Sequence, residues 1–423
     1  MSLSIRTDRS LIRAGASSAR YILARVGAPA AAPRTTRLPV NVALVLDRSG
    51  SMGDARKFTL ARDAVEQALG LLRPADRFSL VAYDTEIDVL SRSDFATPSA
   101  KRRALSALSE IGPRGGTDLG AGWLRGCEQV ADHLREEAVS RCLLLTDGLA
   151  NHGITDRDEL AMHAAELRRR GVVTSTFGVG ADFDERLLRD MAHEGGGNFY
   201  SIEGAEQIPG IVTGELGEAL EVTMRRAILE IALPEGADAE PVNRFRHHPA
   251  SGGASLIVEL GDLVSQQEMA VIVRVQFARG ESGRTSSARV SLRGDGAGAD
   301  GERADLVWTY AGHDENDRQP RDVEVDREVA TLYAARARAE ATEANRDGDF
   351  QRAREVLERT AKKIGAYAGS DEALQQVAGT LEHAVPTYAQ TTMPPMAMKA
   401  SFFAAAAATV ARSPFGKAKR KSE

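Results

Sequence analysis

The run Val40–Asp47 constrains the fold of this chain more than any other feature of the sequence. Its side chains are mostly apolar, which is typical of a strand buried on both faces of a parallel sheet. The loop that follows carries hydroxyl groups at Ser49 and Ser51, at alternate positions after the carboxylate of Asp47. Oxygen atoms of these kinds are the ligands that magnesium, calcium and manganese prefer. Taken alone, the segment is equally compatible with an ordinary turn or helix N-cap.

Two further segments add oxygen ligands at comparable places. Residues 114–122 form a glycine-rich loop around Thr117, and residues 141–148 form an apolar strand that ends at Asp147. Open α/β sheets bind ligands at the carboxyl ends of their strands, so we expect these side chains to meet the Asp47 loop. His152 follows closely and is a candidate for the rim, although an exposed loop histidine is the commoner case.

Taken in order, the Asp-x-Ser-x-Ser loop, the Gly-Gly-Thr loop and the Thr-Asp-Gly strand end resemble the metal-ion-dependent adhesion site of von Willebrand factor type A domains. The residue types match at Asp47, Ser49, Ser51, Thr117 and Asp147. The resemblance implies that the serine and threonine hydroxyls hold the ion, and that the two aspartates act directly or through water. It also implies that a carboxylate of a partner protein fills the sixth coordination position.

The chemistry of magnesium agrees with such a site. Magnesium loses its water reluctantly and is usually bound through few carboxylates, so hydroxyls, two acids and water leave an open, electrophilic position. An aspartate or glutamate of another protein can fill that position. We therefore predict Mg²⁺ as the ion, with Mn²⁺ and Ca²⁺ as alternatives, and we predict neither a catalytic residue nor an organic cofactor.

The spacing of apolar residues predicts the domain organisation. Residues 37–221 alternate apolar strands with amphipathic helices, which predicts a doubly wound, mostly parallel α/β sheet. Over residues 222–311 apolar residues recur at every second position, which predicts antiparallel strands of a β-sandwich. Residues 21–26 share this character, so residues 1–36 are expected to supply the missing strands. The α/β domain is then inserted into the sandwich.

The C-terminal part of the sequence changes character twice. Residues 312–385 are rich in alanine, arginine and glutamate with helical spacing, which predicts a helical appendage. Residues 386–423 combine prolines, an alanine run and a basic end, which predicts a disordered basic tail. Docking of the basic end on an acidic partner or on nucleic acid is the functional alternative.

Composition and cysteine use narrow the classes of partner. The net charge of -6 and the pI near 5.9 provide no basic field, so nucleic acid is disfavoured. The N-terminus lacks the apolar centre of a signal peptide, and the Asp47 strand is too short to span a bilayer. We therefore predict a cytoplasmic location and no membrane partner. Cys127 and Cys142 fall in a predicted helix and a predicted buried strand, as expected of reduced core residues.

Two classes of function fit these observations. The first is a non-enzymatic protein that binds a partner's aspartate or glutamate through the metal site. Bacterial intracellular members of the resembling family often act beside AAA+ ATPases of the MoxR type, which makes such an ATPase an expected class of partner. The second is a metal-dependent hydrolase in which Asp47 or Asp147 serves as base or nucleophile. The sequence shows no histidine or further acid as an evident general base, which favours the first class.

Overall fold

The computed structural model describes residues 1–31, 37–250, 253–296 and 301–421. The chain forms two compact units. The first comprises Met1–Ala31, Thr223–Pro394 and Ala404–Glu423, and the second comprises Ala32–Val222 and Pro395–Phe403. The predicted boundary at residue 36 lies outside the described residues. In the part of the chain that is described, no helix is both long enough and apolar enough to cross a bilayer.

The secondary structure is numbered along the chain. The strands are β1 (Ser2–Thr7), β2 (Leu11–Arg13), β3 (Ser18–Gly27), β4 (Val40–Asp47), β5 (Arg77–Tyr83), β6 (Ile87–Phe95), β7 (Val139–Thr146), β8 (Val173–Val179), β9 (Gly196–Ile202), β10 (Val222–Ala232), β11 (Asp238–Pro241), β12 (Arg246–Pro249), β13 (Ser255–Val264), β14 (Glu268–Phe277), β15 (Thr285–Gly296) and β16 (Arg303–Ala311). The helices are α1 (Lys57–Leu71), α2 (Pro98–Ser109), α3 (Leu119–Ala131), α4 (Arg157–Arg169), α5 (Glu185–Glu194), α6 (Ile208–Leu220), α7 (His313–Arg318), α8 (Val323–Arg346), α9 (Phe350–Ala368), α10 (Glu372–Ala389) and α11 (Pro395–Thr409). Short 3-10 helices at Gly50–Arg56 and Ala205–Gln207 precede α1 and α6.

The second unit is built on one sheet with the strand order β6-β5-β4-β7-β8-β9. Its strands are parallel except for β6, which runs antiparallel to β5 at one edge. The central strands β4 and β7 are buried at every residue. Leu46 of β4 lies opposite Leu145 of β7, so the carboxyl ends of the two strands are adjacent. The predicted doubly wound, mostly parallel α/β sheet is confirmed.

Helices cover both faces of this sheet. On one face Leu44 packs in a core with side chains of α1, α2 and α6. On the other face Val45 packs with Trp123 of α3 and with side chains of α4 and α5. Successive side chains of a strand point to opposite faces, so β4 serves both cores and must be apolar along its length. Cys127 and Cys142 are buried in the second core as free thiols.

The first unit contains the β-sandwich. One sheet has the order β1-β3-β14-β11, and the other has the order β12-β13-β10-β15-β16-β2. The N-terminal strand β3 lies between β1 and β14 and runs antiparallel to both. Ile22 of β3 and Val273 of β14 share a core with Leu229, Val290 and Trp308 of the other sheet. Residues from both flanks of the α/β domain therefore build the sandwich, as predicted.

The C-terminal helices continue the first unit. Helix α8 places Val325 and Val329 against Leu23 of β3 and Ile272 of β14, on the sheet face that points away from the sandwich core. Helices α9 and α10 follow α8, so the predicted helical appendage is present over most of residues 312–385. Its contacts place it with the sandwich in one compact unit.

The structure differs from the predicted disordered tail at residues 386–423. Helix α10 continues to Ala389, and Pro395–Thr409 form helix α11. The alanine run that suggested low complexity is also the strongest helix-forming composition, and Phe402 beside it is buried. At the basic end, the carbonyl of Lys419 accepts a hydrogen bond from the backbone of Glu268. Residues 422–423 lie outside the described part of the chain.

The first turns of α11 pack within the second unit through a buried ion pair. Lys399 donates to the carboxylate of Glu185 at 2.7 Å and to the carbonyl of Phe183 at 2.5 Å. Its ammonium also lies 4.1 Å from the centre of the Phe183 ring. Phe403 meets Phe199 edge to face with ring centres 5.8 Å apart. Residues 395–403 are therefore a structural part of the α/β unit.

The position of β3 predicts the effect of truncating Ile22, which is fully buried in the sandwich core. Ile22→Ala should lower the free energy of unfolding by about 2–5 kcal/mol, because it removes buried methyl groups and leaves a cavity. Ser4→Ala on the exposed face of β1 is the control and should change stability by less than about 0.5 kcal/mol. Denaturant unfolding of the full chain measures both. Equal stability of the two variants would contradict the placement of β3.

The buried ion pair predicts a second effect on stability. Lys399→Met keeps the apolar stem but removes the ammonium beside Glu185, and it should cost about 3 kcal/mol. Ala397→Ser, on the exposed side of the same helix, is the control. Thermal unfolding of the full chain followed by circular dichroism measures the loss. A melting temperature unchanged by Lys399→Met would show that the segment does not stabilise the α/β unit.

Candidate metal centre

The five predicted site residues lie together at the carboxyl ends of β4 and β7. Asp47 is the last residue of β4, and Asp147 directly follows β7. Thr117 lies two residues before α3, in the loop that faces these strand ends. A Cβ atom placed on Gly148 would lie 3.7 Å from the hydroxyl of Thr117 and 3.8 Å from that of Ser51. The three chain segments therefore converge on one point.

Asp47 is held on both of its carboxylate oxygens. Oδ1 accepts a hydrogen bond from the backbone N–H of Ser49 at 2.7 Å, and Oδ2 accepts one from the hydroxyl of Thr146 at 2.6 Å. Burial raises the pKa of Asp47 to about 6, although the bonds from Ser49 and Thr146 act in the opposite direction. The negative charge of Asp147 also contributes to this raised pKa. Asp47 is thus fixed in orientation and holds its proton more tightly than an exposed aspartate.

The hydroxyl groups form a continuous chain to the second acid. The Ser49 and Ser51 hydroxyl oxygens are 3.2 Å apart, and Ser51 donates to Oδ1 of Asp147 at 2.7 Å. Thr117 is held by its backbone, because its N–H donates to the side chain of Asn151 at 2.8 Å. Its carbonyl also accepts from the backbone N–H of Asn151 and of His152.

Lys57 is a member of the site that sequence reasoning missed. Its ammonium donates to Oδ2 of Asp147 at 2.6 Å, and its side chain is 14% exposed. The residues before it, Ala55 and Arg56, have left-handed φ angles of 46° and 60°. Left-handed residues other than glycine are uncommon and costly, so no local pattern in the sequence indicated that the chain would turn here. That turn directs Lys57 toward the acid.

Asp84, at the end of β5, is the second residue that sequence reasoning missed. Its carboxylate accepts from Arg114 at 2.7 Å and lies 2.9 Å from the guanidinium of Arg48. Burial alone would raise the pKa of Asp84, but the hydrogen bonds from Arg114 and Glu86 and the charges of both arginines lower it. Asp84 therefore joins the loop after β4 to the loop that carries Thr117.

The glycines of the Thr117 loop are required by its geometry. Gly115 has a φ of 67°, which favours glycine. A Cβ atom on Gly116 would lie 2.8 Å from the ring of His152, closer than side chains approach. His152 is thus packed on the loop, and its exposed side chain lies at the rim of the site.

The donor set fits a hard divalent cation. Within the described ranges, no group of three or more His, Cys, Asp and Glu side chains is placed to hold a metal, so carboxylates and imidazoles alone do not build a site here. In octahedral magnesium the bonds are about 2.1 Å long, which places neighbouring ligand oxygens about 3.0 Å apart. The Ser49 to Ser51 and Ser51 to Asp147 separations of 3.2 Å and 2.7 Å are hydrogen-bond lengths close to this value, so little movement of these oxygens is needed to hold an ion.

Known proteins resemble this chain in both sequence and fold. The family model of the von Willebrand factor type A domain matches residues 41–214. The uncharacterized protein sll0103 of Synechocystis sp. (strain ATCC 27184 / PCC 6803 / Kazusa) is 26% identical over 372 residues, or 85% of this chain and 87% of that protein. The uncharacterized protein YfbK of Escherichia coli (strain K12) is 28% identical over 191 residues, or 44% of this chain and only 32% of that protein. A solved von Willebrand factor type A structure from Catenulispora acidiphila covers 91% of this chain and 89% of its own, with 18% identity and a TM-score of 0.70, which supports the fold.

For a site that takes magnesium, the raised pKa of Asp47 predicts that the binding depends on pH. A proton on Asp47 competes with the ion, so the affinity should fall by about tenfold for each pH unit below 6 and level off above it. The stability of the metal-free fold depends on pH in the opposite direction to the magnesium affinity. The metal-free fold gains from protonated Asp47 and loses that contribution as the pH rises through about 6.

Calorimetric titration of the full chain with magnesium at about pH 5 and about pH 7.5 measures this dependence. Asp47→Asn is the control, since it should bind more weakly and with little dependence on pH. Equal wild-type affinity at the two pH values would contradict the role given to Asp47.

Proposed function

Because this chain contains a von Willebrand factor type A domain over residues 41–214, we propose that it is an interaction protein that binds a partner through a divalent ion. The ion is held at the carboxyl ends of β4 and β7 by the hydroxyls of Ser49, Ser51 and Thr117, with Asp47 and Asp147 acting directly or through water. This proposal rests on one observation. Hydrogen bonds link the side-chain oxygens of Ser49, Ser51 and Asp147 in a continuous row.

The charges of the site favour an acidic partner. The ligand hydroxyls are neutral, and the two carboxylates are partly balanced by the ammonium of Lys57. A bound magnesium ion would supply an electrophilic coordination position, and it leaves these groups with a net positive charge. A carboxylate is both a hard oxygen ligand and an anion, so a partner's aspartate or glutamate satisfies both requirements.

The surface around the site is accessible to a second protein. Ser51 is exposed, and so are Asn151 and His152, whose backbone N–H groups donate to the carbonyl of Thr117. Leu149, two residues after Asp147, exposes 56% of its surface. An apolar side chain beside a polar centre is a common arrangement in protein interfaces, where it excludes water from the central contact.

The arrangement of the acids supports binding rather than catalysis. Each oxygen of Asp47 accepts one hydrogen bond, from Ser49 or Thr146, and each oxygen of Asp147 accepts one, from Ser51 or Lys57. Each carboxylate oxygen keeps a second lone pair for an ion, and none of the four donors is a histidine, the side chain that most often transfers protons in catalysis. We therefore prefer the interaction protein to the metal-dependent hydrolase.

Three finer expectations form part of the proposal. Magnesium is the proposed ion because the site combines few acids with several hydroxyls. An AAA+ ATPase of the MoxR type is a proposed class of partner, which rests on the family resemblance. A cytoplasmic location is proposed from the sequence.

Substitution of Thr117 tests the metal site. Thr117→Ala removes a hydroxyl without burying a charge, so magnesium affinity should fall by about tenfold while the circular dichroism spectrum stays native. Thr85→Ala makes the same chemical change at an exposed threonine of the neighbouring loop and should leave affinity unchanged. Calorimetry that finds equal magnesium binding in wild type and Thr117→Ala would refute the site.

The same variants test the adhesive role. The full chain should retain its partner from an extract of the native cell in magnesium and release it in EDTA. At a magnesium concentration well below the dissociation constant of wild type, occupancy scales with affinity, so Thr117→Ala should retain about a tenth as much partner, and Thr85→Ala should retain as much as wild type. Capture that persists in metal-free buffer would leave the metal site standing but remove its role in binding.

A further inference from the structure

Lys57 stands out because it places a positive charge inside a site suited to a cation. Its ammonium lies 2.6 Å from Oδ2 of Asp147, while Oδ1 of the same carboxylate accepts from Ser51. A Cβ atom on Gly180, just after β8, would lie 3.9 Å from the Lys57 ammonium. Lys57 is therefore enclosed by the site and is mostly hidden from solvent.

Two features of the local backbone oppose this placement. Lys57 is the first residue of α1, where the helix dipole disfavours a positive charge. Arg56, the N-cap, is left-handed and makes no side-chain cap, and Ala55 before it is left-handed as well. Strained residues of this kind persist where surrounding interactions outweigh their cost. The ion pair with Asp147 is the close interaction that Lys57 makes here.

The other cations near the site have different partners. Arg48 and Arg114 both pair with Asp84, which lies at the end of the neighbouring strand β5. Arg56 is exposed. The charge of Asp147 is therefore balanced from within the fold by Lys57.

We propose that Lys57 is a built-in counter-cation of the metal centre. It neutralises Asp147 when no ion is bound, and it holds one oxygen of that carboxylate so that the other faces the ligand hydroxyls. When the ion is bound, the ammonium repels it, so Lys57 sets the affinity of the site for divalent ions. The inference rests on the proposed function, since it concerns the same ion.

Substitution of Lys57 in the full chain tests this role. Lys57→Met keeps much of the apolar stem and removes the charge, so calorimetric titration with magnesium chloride should show at least a tenfold rise in affinity. Lys57→Arg retains the charge and should stay within about threefold of wild type. Arg56→Met is the matched control, because it removes one exposed positive charge beside the site without breaking a contact to Asp147. It should change magnesium affinity less than about twofold.

Thermal unfolding in EDTA provides a readout that does not depend on metal. Lys57→Met should lower the melting temperature by about 5 °C, because Asp147 loses its counter-charge. Adding Asp147→Asn should remove most of this loss, since the double variant has no buried charge left unbalanced at that position. A double variant that is destabilised as much as Lys57→Met would show that the lysine acts through packing alone and would overturn the proposal.

The titrations separate this proposal from the proposed function. If wild type binds magnesium and Lys57→Met binds it no more tightly, the counter-cation role is refuted and the metal-dependent function stands. If only Lys57→Met binds magnesium, the lysine occupies the site as proposed, but the metal-dependent function proposed for the natural protein is refuted. If neither binds, both are refuted.

Discussion

The structure of the α/β unit depends on the parallel pairing of β4 with β7. Every side chain of the two strands is buried, and each Val or Leu removed from water contributes about 1.5–3 kcal/mol. A slip of one residue would move Leu44 and Val45 into the wrong cores, where helices of different shape meet them. Packing therefore specifies the register, and the register brings Asp47 beside Thr146. The polar site is a consequence of apolar packing beneath it.

Polar groups anchor β4 at its other end too. Asp76 is buried, and its carboxylate accepts from the backbone of Val40 at 3.0 Å and from that of Arg73 at 2.6 Å. Arg37 pairs with the same carboxylate at 2.6 Å. Buried carboxylates are costly unless donors satisfy them, and here the donors come from both chain segments that meet at the base of the sheet. The strand thus runs between two satisfied acids, Asp76 at its start and Asp47 at its end.

The parts of the fold that follow from local patterns were predictable from the sequence. The apolar run of β4 and the alternation in β14 each depend on a few neighbouring residues, and the antiparallel pairing of β14 with β3 agrees with the sandwich inferred from both flanks. The five predicted site residues meet because strand ends gather at one edge of a parallel sheet. Whether they bind a metal stays a prediction.

Lys57, Asp84 and α11 were not predictable for a shared physical reason. Lys57 reaches its acid through two left-handed residues that are not glycine, and Asp84 gains its role from arginines in two other loops. Lys399 finds Glu185 at a separation of 214 residues along the chain. Each of these placements depends on a partner that is distant in sequence or on a backbone turn that no residue type indicates. In α11, moreover, an alanine-rich composition suggested disorder although it also favours a helix.

The docking of Lys399 and Phe403 on the α/β unit also affects how this domain can be inherited. A gene segment that encodes residues 37–222 alone carries the whole sheet and its flanking helices, yet it lacks the ammonium that reaches Glu185 and the ring that covers Phe199. The α/β unit is therefore incomplete when it is transferred as one continuous segment of the gene. A gene segment that preserves both contacts must also encode residues 395–403, which lie far along the chain from the rest of the unit.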